Sequence, residues 1–204
     1  MEFGRYYMKA YFVRHGETDW NALKKIQGST DIPLNNTGIA QAKELGKHLL
    51  EQGVTVSKIY SSRLDRAYET AKIVANVVHQ PVILLNDLEE ICFGKWEGMT
   101  WKEVRDQFPE QYNEWYDHRR YTVPPEGESY QMLLERMLRV VKRILKENEE
   151  NVLVVTHSAN IVVLLAMLHH TPFAKMFKVH PVGNTDYVEL DQEELEKIGI
   201  DPWE

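Results

Sequence analysis

The feature that most constrains this chain is an alternation of short apolar runs with stretches of helical period. Lys9–Val13 is β-branched and aromatic (Lys-Ala-Tyr-Phe-Val) and stops at the polar segment Arg14–Asn21, which predicts a strand followed by a loop. Thr37 is the expected N-cap of a helix bearing Ile39, Ala42, Leu45 and Leu49 on one face and closed by Gly53. Lys58–Ser61 predicts a second strand. Ala67, Ala71, Val74, Ala75 and Val78 mark a second helix, and Pro81 precedes a third strand at Val82–Leu85. Further on, a long amphipathic helix begins near Ser129 and buries Leu133, Leu134, Met137, Val140, Val141, Ile144 and Leu145. It leads into a strand at Asn151–Thr156, an apolar helix from about Ala159 and a last strand near Asp186–Leu190. Such alternation predicts an α/β protein, a three-layer α/β/α sandwich around a mainly parallel central sheet. Ligands of these sheets bind beyond the carboxyl ends of the strands.

Residues 94–128 interrupt the alternation. They are rich in tryptophan and tyrosine, lack apolar periodicity and end in the turn Pro124-Pro125-Glu126-Gly127. We read them as a helical insertion over the site, with short helices near Trp101–Phe108 and Glu110–Asp117. Its length of 204 residues suits one domain spanning 1–204, with 94–128 as a lid that sets substrate specificity. Residues 191–204 are expected to hang in solvent as an acidic tail.

Charge is distributed unevenly. Residues 1–185 hold 23 Lys and Arg against 23 Asp and Glu, whereas residues 186–204 hold one Lys against eight acids, for a net −7. A balanced body offers no diffuse basic field for nucleic acid or an anionic membrane, so an anion must be caught by a local basic cluster. The apolar run Ile161–Leu168 is eight residues long, against roughly 20 for a membrane span. The segment Met1–Lys9 has no apolar core of a signal peptide, and Met8 is a second plausible start that would make residues 1–7 dispensable. The lone Cys92 cannot form an internal disulfide and suits a reducing cytoplasm.

Three polar groups fall where the predicted strands end: Arg14-His15-Gly16, Ser61-Ser62-Arg63-Leu64-Asp65-Arg66 and His157-Ser158. Gly16 allows a sharp turn and close approach to a ligand, and Arg14 offers a planar fork of donors matched to phosphate oxygens. Arg66, at the start of the next helix, supplies a second fork. Two arginines and one charged histidine offset a phosphate dianion. A neutral His15 imidazole can attack phosphorus and form a covalent intermediate. The leaving alkoxide then needs a proton, and Glu89 or Glu90, beside a bound dianion, can stay protonated near neutrality.

Arg14-His15-Gly16-Glu17-Thr18 with Asn21 resembles the signature of the histidine phosphatase superfamily, the phosphoglycerate-mutase-like enzymes. The likeness continues in family order: Gln27-Gly28 with Asp31, Pro33 and Leu34; Ser61 to Ala67 with Thr70-Ala71; Glu90 with Gly94-Lys95-Trp96-Glu97-Gly98; Pro125 to Ser129; and Val155-Thr156-His157. The resemblance implies His15 as the phosphorylated nucleophile, with Arg14, Arg66 and His157 holding the phosphoryl group. It makes Glu90 the proton donor, because Glu90 stands four residues before Gly94. Asn21 and Gln27 become secondary phosphate contacts, and Glu17 orients neighbours or substrate. The chain departs from the family by placing Ser158 where glycine usually follows the second histidine, so Ser158 either crowds the pocket or donates to its contents.

A phosphatase passing the phosphoryl group to water is favoured over a mutase returning it to the same sugar acid. Arg119-Arg120 is faintly similar to the mutases' carboxylate-gripping pair, yet Gly94–Met99 lacks their basic continuation. A catalytically silent phospho-ligand binder would not need to keep the full set of residues. The expectation is therefore a histidine acid-type phosphatase acting on a small phosphomonoester, with Arg119 and Arg120 near the substrate. Arginines supply the positive charge, so no metal or cofactor is expected. His169-His170 is read as a pair of helix-end histidines.

Overall fold

The computed structural model describes residues 7–199. Five strands form one sheet: β1 (Lys9–Arg14), β2 (Lys58–Ser61), β3 (Val82–Leu84), β4 (Val152–Thr156) and β5 (Tyr187–Asp191). The order is β3-β2-β4-β1-β5, parallel throughout except for the antiparallel edge strand β5. The carboxyl ends of β1, β2 and β4 therefore come side by side. His15 N–H donates to the Thr156 carbonyl at 3.0 Å and Ser62 N–H to that of Val155 at 3.0 Å, which ties the three strand ends together.

Alternate residues of β1 and β4 feed two cores. On one face Tyr11, Val13, Leu153 and Val155 pack with α2 (Asn36–Glu51) and α3 (Asp65–Val78). On the other, Ala10, Phe12, Val152 and Val154 pack with α6 (Tyr130–Glu147) and α7 (Ser158–Leu168). The mixed α/β architecture agrees with the sequence reading. The cap of α2 is corrected: Asn35, not Thr37, accepts the Gly38 N–H at 2.9 Å. Ser129 caps α6 as expected, accepting from Met132 N–H.

After a 3-10 turn at Gly94–Trp96, the insertion forms α4 (Trp101–Gln107) and α5 (Pro109–Asp117). Trp96 and Trp115 are buried, and Trp101 stacks on Trp115 with centroids 5.1 Å apart and planes 14° apart. These rings pack chiefly on one another.

Over the described residues 191–199 the expected solvent tail is not found. Asp191 and Glu194 form a capping box that starts α9 (Gln192–Lys197), and Leu195 and Ile198 are buried in the larger core. Leu195 on α9 and Ile198, which ends it, both turn into the core, while Glu193 and Glu196 stay exposed. The remainder of the tail, residues 200–204, lies outside the described residues, as does the proposed leader except for Tyr7. Met8 is buried in the core. Between them, α1 (Asp19–Ala22) and α8 (Met176–Val179) are short connecting helices. Among the described residues no helix is long and apolar enough to cross a membrane.

Candidate active site

A cavity of about 470 Å³ opens at the carboxyl edge of the sheet, beneath the insertion. At its inner end lie Arg14, His15, Arg66 and Glu90. The His15 Nδ1 lies 2.7 Å from the Gly16 carbonyl. A carbonyl only accepts, so this nitrogen carries the hydrogen and Nε2 keeps its lone pair. Burial first, then Arg66 and Arg14, hold the imidazole well below its ordinary value of 6.5. The imidazole is thus shifted toward its neutral form.

Two arginines flank it. Arg14 Nη1 donates to the Val182 carbonyl at 2.7 Å. Arg66, fully buried, donates through Nη1 to the Thr30 carbonyl at 2.8 Å and through Nη2 to that of Gly28 at 2.7 Å. Both Nε atoms are buried without a protein acceptor. Buried donors rarely stay unpaired, and two of them beside one histidine fit an anion.

Burial, the largest cause, raises the Glu90 carboxyl above its ordinary 4.5, opposed by the Ile91 N–H, Arg66 and the Ala159 N–H. No bound phosphate is required for the upward shift. The segment before Glu90 is clamped from three sides. Arg136 Nη1 donates to the Asp87 and Glu89 carbonyls at 2.7 and 2.6 Å, and Asn160 Nδ2 and Thr156 Oγ1 to that of Leu88 at 2.7 and 2.9 Å. Arg136 is in turn paired with Glu128 at 2.8 Å.

His157 packs behind His15, with ring centroids 5.1 Å apart, and its Nε2 lies 2.9 Å from Ser62 Oγ. Burial first, then the charges of Arg66, holds His157 well below 6.5. The shift favours the neutral ring, with the arginines as the principal positive groups of this end. Gly16 also needs a different explanation. A Cβ there would lie 2.6 Å from the Gly38 carbonyl oxygen, so close packing of this loop on α2 requires glycine, rather than a turn or a ligand.

Asn21, Gln27 and Ser158 line the cavity. The Asn21 and Gln27 side-chain oxygens lie 3.1 and 3.0 Å from the Thr18 hydroxyl and share its one hydrogen, so their NH2 groups are turned away from Thr18. Glu17 is not in the lining and instead accepts from Asn35 Nδ2 at 3.0 Å. The two neighbouring arginines part company. Arg119 lines the cavity, its guanidinium 4.6 Å from the Trp115 ring and its Nε without an acceptor. Arg120 turns away from the expected substrate position; it is buried 5.1 Å from the Phe173 ring, with Nε donating to Gln131 Oε1 at 3.0 Å. The two lie in the turn after α5, and only Arg119 faces the cavity.

Sequence reasoning did not reach Lys24 and Lys25, which line the cavity, or Asn184, which donates to the His15 carbonyl at 3.0 Å and to Asn21 Oδ1 at 3.2 Å. A basic pair three residues beyond Asn21 was a usable signal; Asn184, far along the chain, had none. Phe93, Trp101, Tyr112, Trp115, Tyr130 and Phe177 wall the outer end. His169 stands at the C-terminus of α7, stacked on His180 with centroids 5.4 Å apart.

The family model of the histidine phosphatase superfamily (branch 1) matches residues 10–198. The chain belongs to this superfamily. The match extends through α9, so the acidic helix lies within the superfamily span. The chain is 32% identical over 171 residues to the adenosylcobalamin/alpha-ribazole phosphatase of Escherichia coli, covering 83% of each protein. It is 38% identical over 148 residues to the metal-independent phosphoserine phosphatase of Arabidopsis thaliana, covering 71% of this chain and 62% of that protein. Among solved structures of the superfamily, a phosphoserine phosphatase from Entamoeba histolytica superposes with a TM-score of 0.78 at 31% identity, covering 89% of each chain.

Proposed function

We propose that the chain is a phosphomonoester hydrolase that works through a phosphohistidine on His15 and acts on a small phosphorylated metabolite. The observation that carries this reading is the pairing of a neutral His15, its Nε2 lone pair uncommitted, with two arginines whose Nε donors lack acceptors. Nε2 attacks phosphorus while Arg14 and Arg66 take up charge on the phosphoryl oxygens, assisted by the Asn21 and Gln27 amides. As the phosphorus–oxygen bond breaks, Glu90 passes its proton to the leaving oxygen. The resulting carboxylate then takes a proton from water, whose oxygen attacks the phosphohistidine. Inorganic phosphate, neutral His15 and protonated Glu90 are regenerated. His157 positions His15 and, in contact with bound phosphate, donates a hydrogen bond.

The phosphatase relatives support hydrolysis rather than transfer to a second hydroxyl. We propose further that residues 94–128 act as a lid within one domain, with Arg119 and Ser158 touching the alcohol. The arginines supply the positive charge, so the reaction runs without a metal. Cys92 as the lone thiol fits a cytoplasmic setting.

Phosphate release from a panel containing an aryl phosphate, phosphoserine, a ribazole phosphate and 3-phosphoglycerate tests the reading. Turnover that survives a chelator and yields an acid-labile phosphoprotein absent from His15→Ala is the expected result. A folded wild-type protein silent across pH 5–8 on every substrate would overturn it.

A further inference from the structure

We propose that Glu97 is a positioning residue for the phosphate pocket, acting through the loop that aims Arg66. The residue sits just past the 3-10 turn of the insertion and outside the cavity lining. Its carboxylate gathers five donors. Ser29 N–H and Thr30 N–H reach it at 2.8 and 2.9 Å, Phe93 N–H at 3.0 Å, and the Ser29 hydroxyl at 3.1 Å; the Thr30 hydroxyl is the fifth.

Four of these donors belong to Ser29 and Thr30, within the same loop whose Gly28 and Thr30 carbonyls accept from Arg66 Nη2 and Nη1. The carboxylate thus grips one side of the peptide loop while Arg66 is gripped by the other. Gly28 has φ +55°, and a Cβ there would overlap the Glu97 carboxylate, so the loop is shaped to close on it. A carboxylate suits this task because it accepts at every lone pair. A glutamine of the same size turns an NH2 group toward at least one N–H of the loop, replacing an attraction with a repulsion.

The consequence falls on Arg66. With both terminal nitrogens fixed by the loop carbonyls, its buried Nε and remaining hydrogens keep one direction, and an anion meets a donor fork already oriented. Phe93, which also donates to Glu97, walls the outer cavity. One carboxylate therefore joins the lid to the phosphate loop.

This inference rests on the reading of Arg66 as a phosphate ligand, and the test separates the two. Calorimetric binding of inorganic phosphate to the full chain is measured for wild type, Glu97→Gln, Arg66→Ala and the double variant. Glu97→Gln is expected to weaken phosphate about tenfold, the scale of one charge-assisted hydrogen bond. In the Arg66→Ala background the same change is expected to cost less than about twofold, because a positioning effect has nothing left to position. Thr30→Val, which removes a single donor, repeats the cycle with a smaller change and serves if Glu97→Gln does not fold. In steady state the loss should fall more on KM than on kcat.

Equal factors in both backgrounds would show that Glu97 acts independently of Arg66 and overturn the inference. Unchanged phosphate binding in Glu97→Gln would do the same. Unchanged binding in Arg66→Ala would remove the phosphate-site reading itself, and this inference with it.

Discussion

The two ends of the cavity are built on opposite plans. At the inner end each functional group is held by directional bonds to backbone: His15 by the Gly16 carbonyl, Arg14 by Val182, and Arg66 by Gly28 and Thr30. At the outer end Phe93, Trp101, Tyr112 and Trp115 are held by ring-on-ring packing, with centroids 5.1–6.3 Å apart. Hydrogen bonds fix position and angle to a few tenths of an ångström, as in-line displacement at phosphorus requires. Aromatic packing fixes volume and leaves orientation freer. Under the proposed function, the chemistry and the choice of alcohol fall to separable parts of the molecule.

Five substitutions would break or sharpen this division, taken from the largest expected effect downward. His15→Ala removes the proposed nucleophile and should lower kcat by about 10⁴-fold or more while leaving the thermal midpoint within a few degrees. Comparable turnover in that variant would mean that the inner end is not where the covalent step occurs. Trp115→Ala takes a fully buried ring from the outer cluster and should cost about 3–5 kcal/mol in urea unfolding. Calorimetry below that transition should still find inorganic phosphate bound; if it does not, the two ends are not separable.

Glu90→Gln should reduce kcat about 10²-fold for substrates with poor leaving groups and much less for a nitrophenyl ester. The pH profile carries the sign. In the proposed mechanism protonated Glu90 is the working form, so kcat/KM should fall as pH rises through its raised value, and Glu90→Gln should lose that alkaline limb. Neutral His15 is the working form at the other extreme, so the acid limb should lie well below 6.5. An acid limb near 6.5 would place the nucleophile in a more exposed setting than the structure gives it.

The smallest effect belongs to Arg119→Ala. Its stacking on Trp115 and free Nε predict about a tenfold rise in KM for substrates bearing an acceptor on the alcohol. Arg120→Ala should instead lower stability with little change in KM. The reverse pattern in this pair would exchange their roles.

Much of this arrangement was legible in the chain because strand order and motif position are local properties. Apolar alternation located β1, β2 and β4, and polar residues at their ends marked His15, Arg66 and His157. The misreadings share a cause. Reading 191–204 by charge alone hid Leu195 and Ile198, whose burial decides where α9 lies. Asn35, Asn36 and Thr37 can all cap a helix, and only the reach to the Gly38 N–H selects Asn35. Arg136, which clamps the segment before Glu90, carries no signal in the sequence that sets it apart from the other charged residues of α6.

By itself, then, the sequence determined the α/β layering, the edge of the sheet that carries the site and the residue types gathered there. Tertiary structure decided the direction in which the proton affinities of His15, His157 and Glu90 move, which of Arg119 and Arg120 faces the cavity, and how Glu97 and Arg66 are joined through one loop. Spacing along a chain specifies which side chains share an edge. Proton affinity and donor direction depend on what surrounds a group once water has been excluded, and that is settled only when distant segments pack.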